Sequence, residues 1–327
     1  MTIAAALRIV RPALLCLGFL ALGWPVPSAD GHSLRARFTP QELEPLLQSL
    51  QDDGLPRPML NGIFYDERLR KIRSVVALNG VEQDSVDIYK QYTTPYAVRK
   101  AKRFKRRFFK TLERVEEAYG IPANFIVAVL LVETQFGSYP LRYRVLEVYT
   151  TLVVEANHDA IERNFTRIKI RYPDLEREYF VERMTMKAAW AYEELVALLS
   201  MGSPNSGSLY DIKGSYAGAF GMPQFLPTSY LRWAVDGNED GRVDLNTTAD
   251  AVASIANYLR EHGWRAGAGL EEKMRAVWLY NRSPHYVNAI FEVSRRMSLP
   301  PRKSLVRRAA RVTPPVPAVA VFRGFPG

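Results

Sequence analysis

One glutamate, at the end of an apolar stretch, is the residue in this sequence best placed to do chemistry. Phe125-Ile126-Val127-Ala128-Val129-Leu130-Leu131-Val132 is apolar on every side, which predicts a helix buried all round, and Glu133 follows at once. A carboxyl group there is partly desolvated and lies near the negative end of a helix closed by Gly137. Both effects favour the protonated form that a general acid needs. The same position also suits a carboxylate held in a salt bridge at the edge of the core.

Other catalytic chemistries lack their residues. Cys16 is the only cysteine and falls in an apolar run near the N-terminus; His32, His158, His262 and His285 are scattered without ligand spacing. No Walker loop or metalloprotease helix motif is present. One oxygen-rich stretch does stand out. Asp236-Gly237-Asn238-Glu239-Asp240-Gly241-Arg242-Val243-Asp244 fits the start of an EF-hand loop, with ligand positions at Asp236, Asn238, Asp240 and Arg242 and glycine at the sixth. Calcium would be its natural ion, an acidic turn without metal the alternative. Thr247 stands where the bidentate glutamate belongs.

Three blocks in order resemble the lytic murein transglycosylase B family. Gly120-Ile121-Pro122 followed by Val132-Glu133-Thr134-Gln135-Phe136-Gly137 looks like its catalytic helix. Residues 214–230, with Gly214-Ser215-Tyr216-Ala217-Gly218-Ala219-Phe220-Gly221-Met222-Pro223-Gln224, form the second, and Trp278-Leu279-Tyr280-Asn281-Arg282-Ser283 matches the Tyr-Asn motif that lines its cleft. The likeness covers roughly Thr39 to Met297. Within the second block, Gly218 and Gly221 permit close approach of backbone or sugar, while Ser215, Tyr216 and Gln224 can bond hydroxyl and acetamido groups.

The resemblance implies a mainly α fold, with a lysozyme-like core over 99–299 and an attached N-terminal helical lobe over 34–98, few strands, and Glu133 as sole acid and base. It implies cleavage of the bond between N-acetylmuramic acid and N-acetylglucosamine in peptidoglycan, a 1,6-anhydro product, and no cofactor for catalysis. Ser215, Tyr216, Gln224, Tyr280 and Asn281 would bind the sugars, and Asp250 would complete the calcium loop. The sequence departs from the family at its paired arginines for the peptide stem, since Glu182-Arg183-Met184-Thr185-Met186-Lys187 stands there instead. A peptidoglycan-binding protein without turnover and a hydrolytic muramidase are the alternatives, the latter needing a second carboxylate.

The remaining patterns concern placement. Arg8 and Arg11, an apolar run from Pro12 to Trp24, and Val26-Pro27-Ser28 predict a secretory signal peptide over 1–28 and hence export; with the resemblance, this implies the periplasm of a bacterial envelope. A signal anchor is the alternative. The mature chain would have no disulfide and would depend on its core. Of the net charge of +10, the signal carries two and residues 301–327 six, with no acid in either, so the body is near neutral. The last stretch, 300–327, reads as a basic, Pro-rich, disordered tail. Residues 99–110 hold eight Lys or Arg and no acid, interleaved with Phe104, Phe108 and Phe109. That is one helix side, either a patch for an anionic polymer or a solvated face with its aromatics turned inward; export argues against nucleic acid. Cell-wall synthesis proteins are the partners the resemblance suggests.

The helix-period patterns run from 99 to 119, 185 to 200, 248 to 262 and 271 to 279. Short amphipathic pieces precede them from Thr39.

Overall fold

A computed structural model describes residues 35–81, 85–202, 208–300 and Gly324. The expected signal peptide and all of the expected tail except Pro300 and Gly324 lie outside the described residues. Fourteen α-helices form among the described residues. In chain order they are α1 (Pro40–Asp52), α2 (Arg57–Phe64), α3 (Arg73–Gly80), α4 (Val86–Lys90), α5 (Pro95–Arg107), α6 (Phe109–Tyr119) and α7 (Ala123–Thr134). There follow α8 (Val145–Val154), α9 (His158–Arg171), α10 (Arg177–Ser200), α11 (Pro227–Trp233), α12 (Thr248–Glu261), α13 (Leu270–Tyr280) and α14 (Pro284–Ser298). Two antiparallel pairs of two-residue strands complete the picture, β1 (Arg35–Ala36) with β2 (Lys71–Ile72) and β3 (Tyr143–Arg144) with β4 (Lys213–Gly214). The fold is mainly α, as expected, and no single described helix is long and apolar enough to cross a membrane.

By their internal contacts the described residues divide into two compact units: 35–81, 140–202 and 208–232 form the first, 85–139 and 233–300 the second. The segments drawn from the sequence as a lobe (34–98) and a core (99–299) each contribute to both.

In the first unit, α1 starts from a capping box in which Thr39 Oγ1 accepts from the Glu42 N–H and Glu42 returns a carboxylate to the Thr39 N–H. The core lies where α10 packs along α8, with α3 against both. Lys71 is buried there between Glu42 (2.5 Å) and Glu155 (2.8 Å). Two acceptors offset the cost of taking its charge out of water.

In the second unit, α7 is central, packed by α14, α5, α12 and α6. Ile126 to Val132 are at most 1% exposed. The seven side chains are gripped on all sides, so the end of the helix is a rigid mount. Phe125 meets Trp264 and Phe291 edge-on at 4.6 and 5.0 Å.

Three local expectations are corrected. The basic helix does not run unbroken to Tyr119: Phe108 (φ −109°, ψ 30°) ends α5 and precedes α6. Phe104 consequently turns inward while Phe109 is 53% exposed, so the aromatic stripe splits. The helix read from Thr185 starts at Arg177, in a first turn whose charged residues carry little apolar period. Pro122, a residue that the sequence suits to the first turn of the next helix, instead precedes α7 as its N-cap in extended conformation.

Candidate active site

Glu133 lies in the last turn of α7 and is 3% exposed. Burial pushes its carboxyl up to about 8, opposed in part by a hydrogen bond from the Tyr286 hydroxyl. That hydroxyl donates to Oε1 at 2.7 Å, and no charged neighbour contributes to the shift. The carboxyl is therefore held protonated at neutral pH, with Oε1 fixed by Tyr286.

The helix ends differently from the sequence expectation. Gln135 (φ 48°, ψ 46°) takes the left-handed closing position assigned above to Gly137, its N–H reaching the Leu130 and Leu131 carbonyls. Phe136 (φ 66°) and Gly137 (φ 75°) continue the turn. Left-handed conformations cost a non-glycine residue about 1–2 kcal/mol, and side-chain contacts hold both residues in place. Lys100 Nζ donates to Gln135 Oε1 (3.0 Å), Gln135 Nε2 donates to the Tyr139 hydroxyl (2.6 Å), and Tyr139 shares a hydrogen bond with Tyr92 (3.1 Å). Phe136 stacks on Phe104 with centroids 4.2 Å apart.

Tyr280 and Asn281, both expected at the site, occupy the end of α13 in the same unit. The Tyr280 ring lies parallel to that of Tyr286 at 6.3 Å, and burial beside Glu133 holds both phenols well above their ordinary value. Asn281 is 2% exposed, and its side-chain carbonyl oxygen has no partner among the described residues. A buried amide oxygen left unpaired costs about 1–3 kcal/mol, and Asn281 Oδ1 keeps the capacity to accept an N–H or O–H.

Ser215, Tyr216 and Gln224 belong to the first unit, in one compact loop. Ser215 Oγ accepts from the Ala217 and Ala219 N–H groups (3.3 and 3.2 Å), so its first task is to fold the loop, with its own O–H still to donate. The Tyr216 carbonyl accepts from Asn79 Nδ2 at 3.0 Å, and burial lifts its phenol to about 12. Gln224 (φ 53°) donates Nε2 to the Gly221 carbonyl (2.9 Å), which leaves its buried Oε1 unpaired among the described residues. Gly218 (φ 81°) lies over Tyr149 so closely that a Cβ there would come within 2.3 Å of the ring. Glu194, fully buried on α10, accepts from Thr228 N (3.0 Å) and Oγ1 (2.8 Å) and so fixes the loop's far end; burial raises it to about 7.

The acidic loop closes on itself. Asp236 accepts from the Asp240 and Gly241 N–H groups, and Asn238 Oδ1 also accepts from Asp240 N, so three polar side chains crowd one turn. Asp240 Oδ1 accepts from the Arg242 N–H (2.9 Å). Asp250 is 1% exposed and spends both oxygens on the N–H groups of Gly237 (2.9 Å) and Asp244 (2.7 Å), the position of a brace. Among the described residues no three His, Cys, Asp or Glu side chains are gathered as a ready metal cage.

Sequence reading missed Tyr286, Tyr92, Tyr139 and Glu194. Only Tyr286 left a trace, three residues beyond the Tyr280–Ser283 block.

Comparison with known proteins adds four findings. The model of the transglycosylase SLT domain matches residues 38–276. The membrane-bound lytic murein transglycosylase B of Escherichia coli K12 is 32% identical over 178 residues, which cover 54% of this chain and 42% of that protein. The fold superposes on E. coli lytic transglycosylase Slt35 in complex with calcium (TM-score 0.62, 21% identity, 82% of this chain and 94% of that one). It also superposes on SltB3 of Pseudomonas aeruginosa in complex with NAG-anhNAM-pentapeptide (0.62, 19%, 79% and 78%).

Proposed function

The chain belongs to the transglycosylase SLT domain family, and from that premise we propose that it is a peptidoglycan lytic transglycosylase with Glu133 as its single acid and base. The observation that carries the reading is a buried carboxyl, raised to about 8 with no second carboxylate contributing to the shift. A hydrolytic muramidase would need one for its water or its covalent intermediate.

The chemistry proceeds in two proton transfers. Glu133 gives its proton to the oxygen joining the muramyl anomeric carbon to N-acetylglucosamine; that carbon–oxygen bond breaks and the sugar leaves as an alcohol. The substrate's acetamido oxygen stabilises the positive charge at the anomeric carbon. The Glu133 carboxylate then takes the proton of the muramyl C6 hydroxyl, whose oxygen closes on the anomeric carbon. A 1,6-anhydro end forms, no water is consumed, and Glu133 returns protonated. Tyr286 holds Oε1 in both steps and steadies the charged intermediate. Ser215, Tyr216, Gln224, Tyr280 and Asn281 hold the sugars; the unpaired amide oxygens of Gln224 and Asn281 are suited to acetamido N–H or hydroxyl donors. The anhydro sugar bound by SltB3 is in keeping with such a product.

The 236–250 loop is assigned a structural calcium ion, on the oxygens of Asp236, Asn238 and Asp240 and the backbone of Arg242, with Asp250 bracing the turn. The donor chemistry, two carboxylates and an amide in one turn, fits a hard cation, and Slt35 was solved with calcium. Export to the periplasm after loss of residues 1–28, and work beside wall-synthesis proteins, complete the reading.

Mass spectrometry of muropeptides released from purified peptidoglycan, by the native protein and by Glu133→Gln, tests it. Anhydro ends from the native protein alone are expected. Reducing ends would indicate a hydrolase, and binding without release a non-catalytic protein.

A further inference from the structure

We infer that the basic face of α5 and the start of α6 docks on an anionic phospholipid bilayer. Arg99, Arg103, Arg106, Arg107 and Lys110 are exposed there. Lys100, Lys102 and Lys105 lie half-buried between them. Among the described residues no ion pair involves any of these eight cations, whereas Arg57, Lys71, Arg177, Arg295 and Arg296 each have a carboxylate partner. A face shaped only for solubility mixes its signs; this one leaves its positive charge uncompensated.

Its shape distinguishes a lipid surface from a hydrophilic polyanion. A depression of about 320 Å³ is lined by Lys102, Lys105, Arg106, Phe109, Asn124 and Met297. Three cations therefore surround apolar Phe109 and Met297, a combination suited to an anionic headgroup with the first carbons of its chains. Exposed aromatics lie at both ends of the basic run, Tyr96 (71%) and Phe109 (53%), and aromatic rings favour the membrane interface. Lys102 Nζ also donates to the Leu299 carbonyl at 2.6 Å, which ties the end of α14 to this face. The inference does not depend on whether Glu133 cleaves glycan.

Cosedimentation of the protein with vesicles of equal parts phosphatidylglycerol and phosphatidylcholine, against phosphatidylcholine alone, tests it. Each Lys or Arg near an anionic surface contributes about 1 kcal/mol, so Arg103→Gln with Arg106→Gln should lower the partition coefficient about 30-fold. Binding by the native protein should weaken as salt rises. Phe109→Ser should weaken it further, and Glu133→Gln should bind like the native chain. If the double variant unfolds, Arg106→Gln alone should still give a loss of about 5-fold. No preference for the anionic vesicles, or equal binding by the arginine variants, overturns the inference. So does a loss confined to peptidoglycan sacculi with no vesicle binding by either protein, which would assign the face to the wall polymer.

Discussion

Replacing Tyr286 by Phe isolates the one hydrogen bond that stabilises ionised Glu133. The ring should stay in place, since it is buried, parallel to Tyr280 at 6.3 Å and edge-on to Tyr89 at 6.2 Å. Only the 2.7 Å bond to Oε1 is lost. Burial raises the carboxyl and this bond lowers it, with a net result of about 8, so without the bond the value must rise. A hydrogen bond to a charged group contributes about 1.5–3 kcal/mol, and one pKa unit is about 1.36 kcal/mol, which places the shift at roughly 1–2 units. The assay is kcat/KM for release of anhydromuropeptides across pH, where the alkaline limb reports the acid of the free enzyme. The native limb should fall near 8 and that of Tyr286→Phe about 1–2 units higher, with a lower plateau because a weaker acid donates less readily. A limb that stays put or moves to lower pH would refute the account of Glu133.

Other consequences follow from the same groups. The native-state value of Glu133 exceeds its ordinary 4.5, so the folded form holds the proton more tightly and stability is lost as pH rises from 4.5 to about 8. Glu133→Gln should therefore unfold at a higher temperature than the native protein at pH 8 and at nearly the same temperature near pH 4.5, by differential scanning calorimetry; equal midpoints at pH 8 would contradict this. Glu194, at about 7, acts in the same direction, and Glu194→Gln, whose amide can still serve both Thr228 contacts, should flatten the remaining slope without unfolding the chain. Gly218→Ala places a methyl group against Tyr149 at a φ of 81° and should cost about 2–4 kcal/mol in urea unfolding, together with most of the activity; a silent substitution would show that the loop moves freely. Calcium should raise the midpoint, chelator should remove the gain, and Asp240→Ala should abolish it; no shift with calcium would leave the loop a metal-free turn.

What the sequence revealed depended on how local the signal was. Eight apolar residues in a row announce the burial of α7, and with it the desolvation of Glu133. Tyr286, for all its nearness to the Tyr280–Ser283 block, could not be assigned because its role exists only once α14 has packed on α7, with Glu133 153 residues away in sequence. The break at Phe108 carries neither Gly nor Pro, so nothing in the 99–119 period announced it. Gly137 was the natural choice for the end of α7 because glycine adopts a left-handed backbone without strain, yet Gln135 closes the helix, held by Lys100 and Tyr139. Asp250 was given as a ligand by the resemblance, and the structure adds two hydrogen bonds that the sequence did not announce, from the N–H groups of Gly237 and Asp244.

Gln135 and Gln224 both keep a positive φ that glycine would adopt with ease. A library of variants ranked by melting temperature would drift toward glycine at these two codons, erasing the amide contact to Tyr139 and the unpaired Oε1 of residue 224. Thermostability selection on this scaffold would thus remove two amide side chains at positions identifiable beforehand, and both glutamines should be held constant in any engineering campaign.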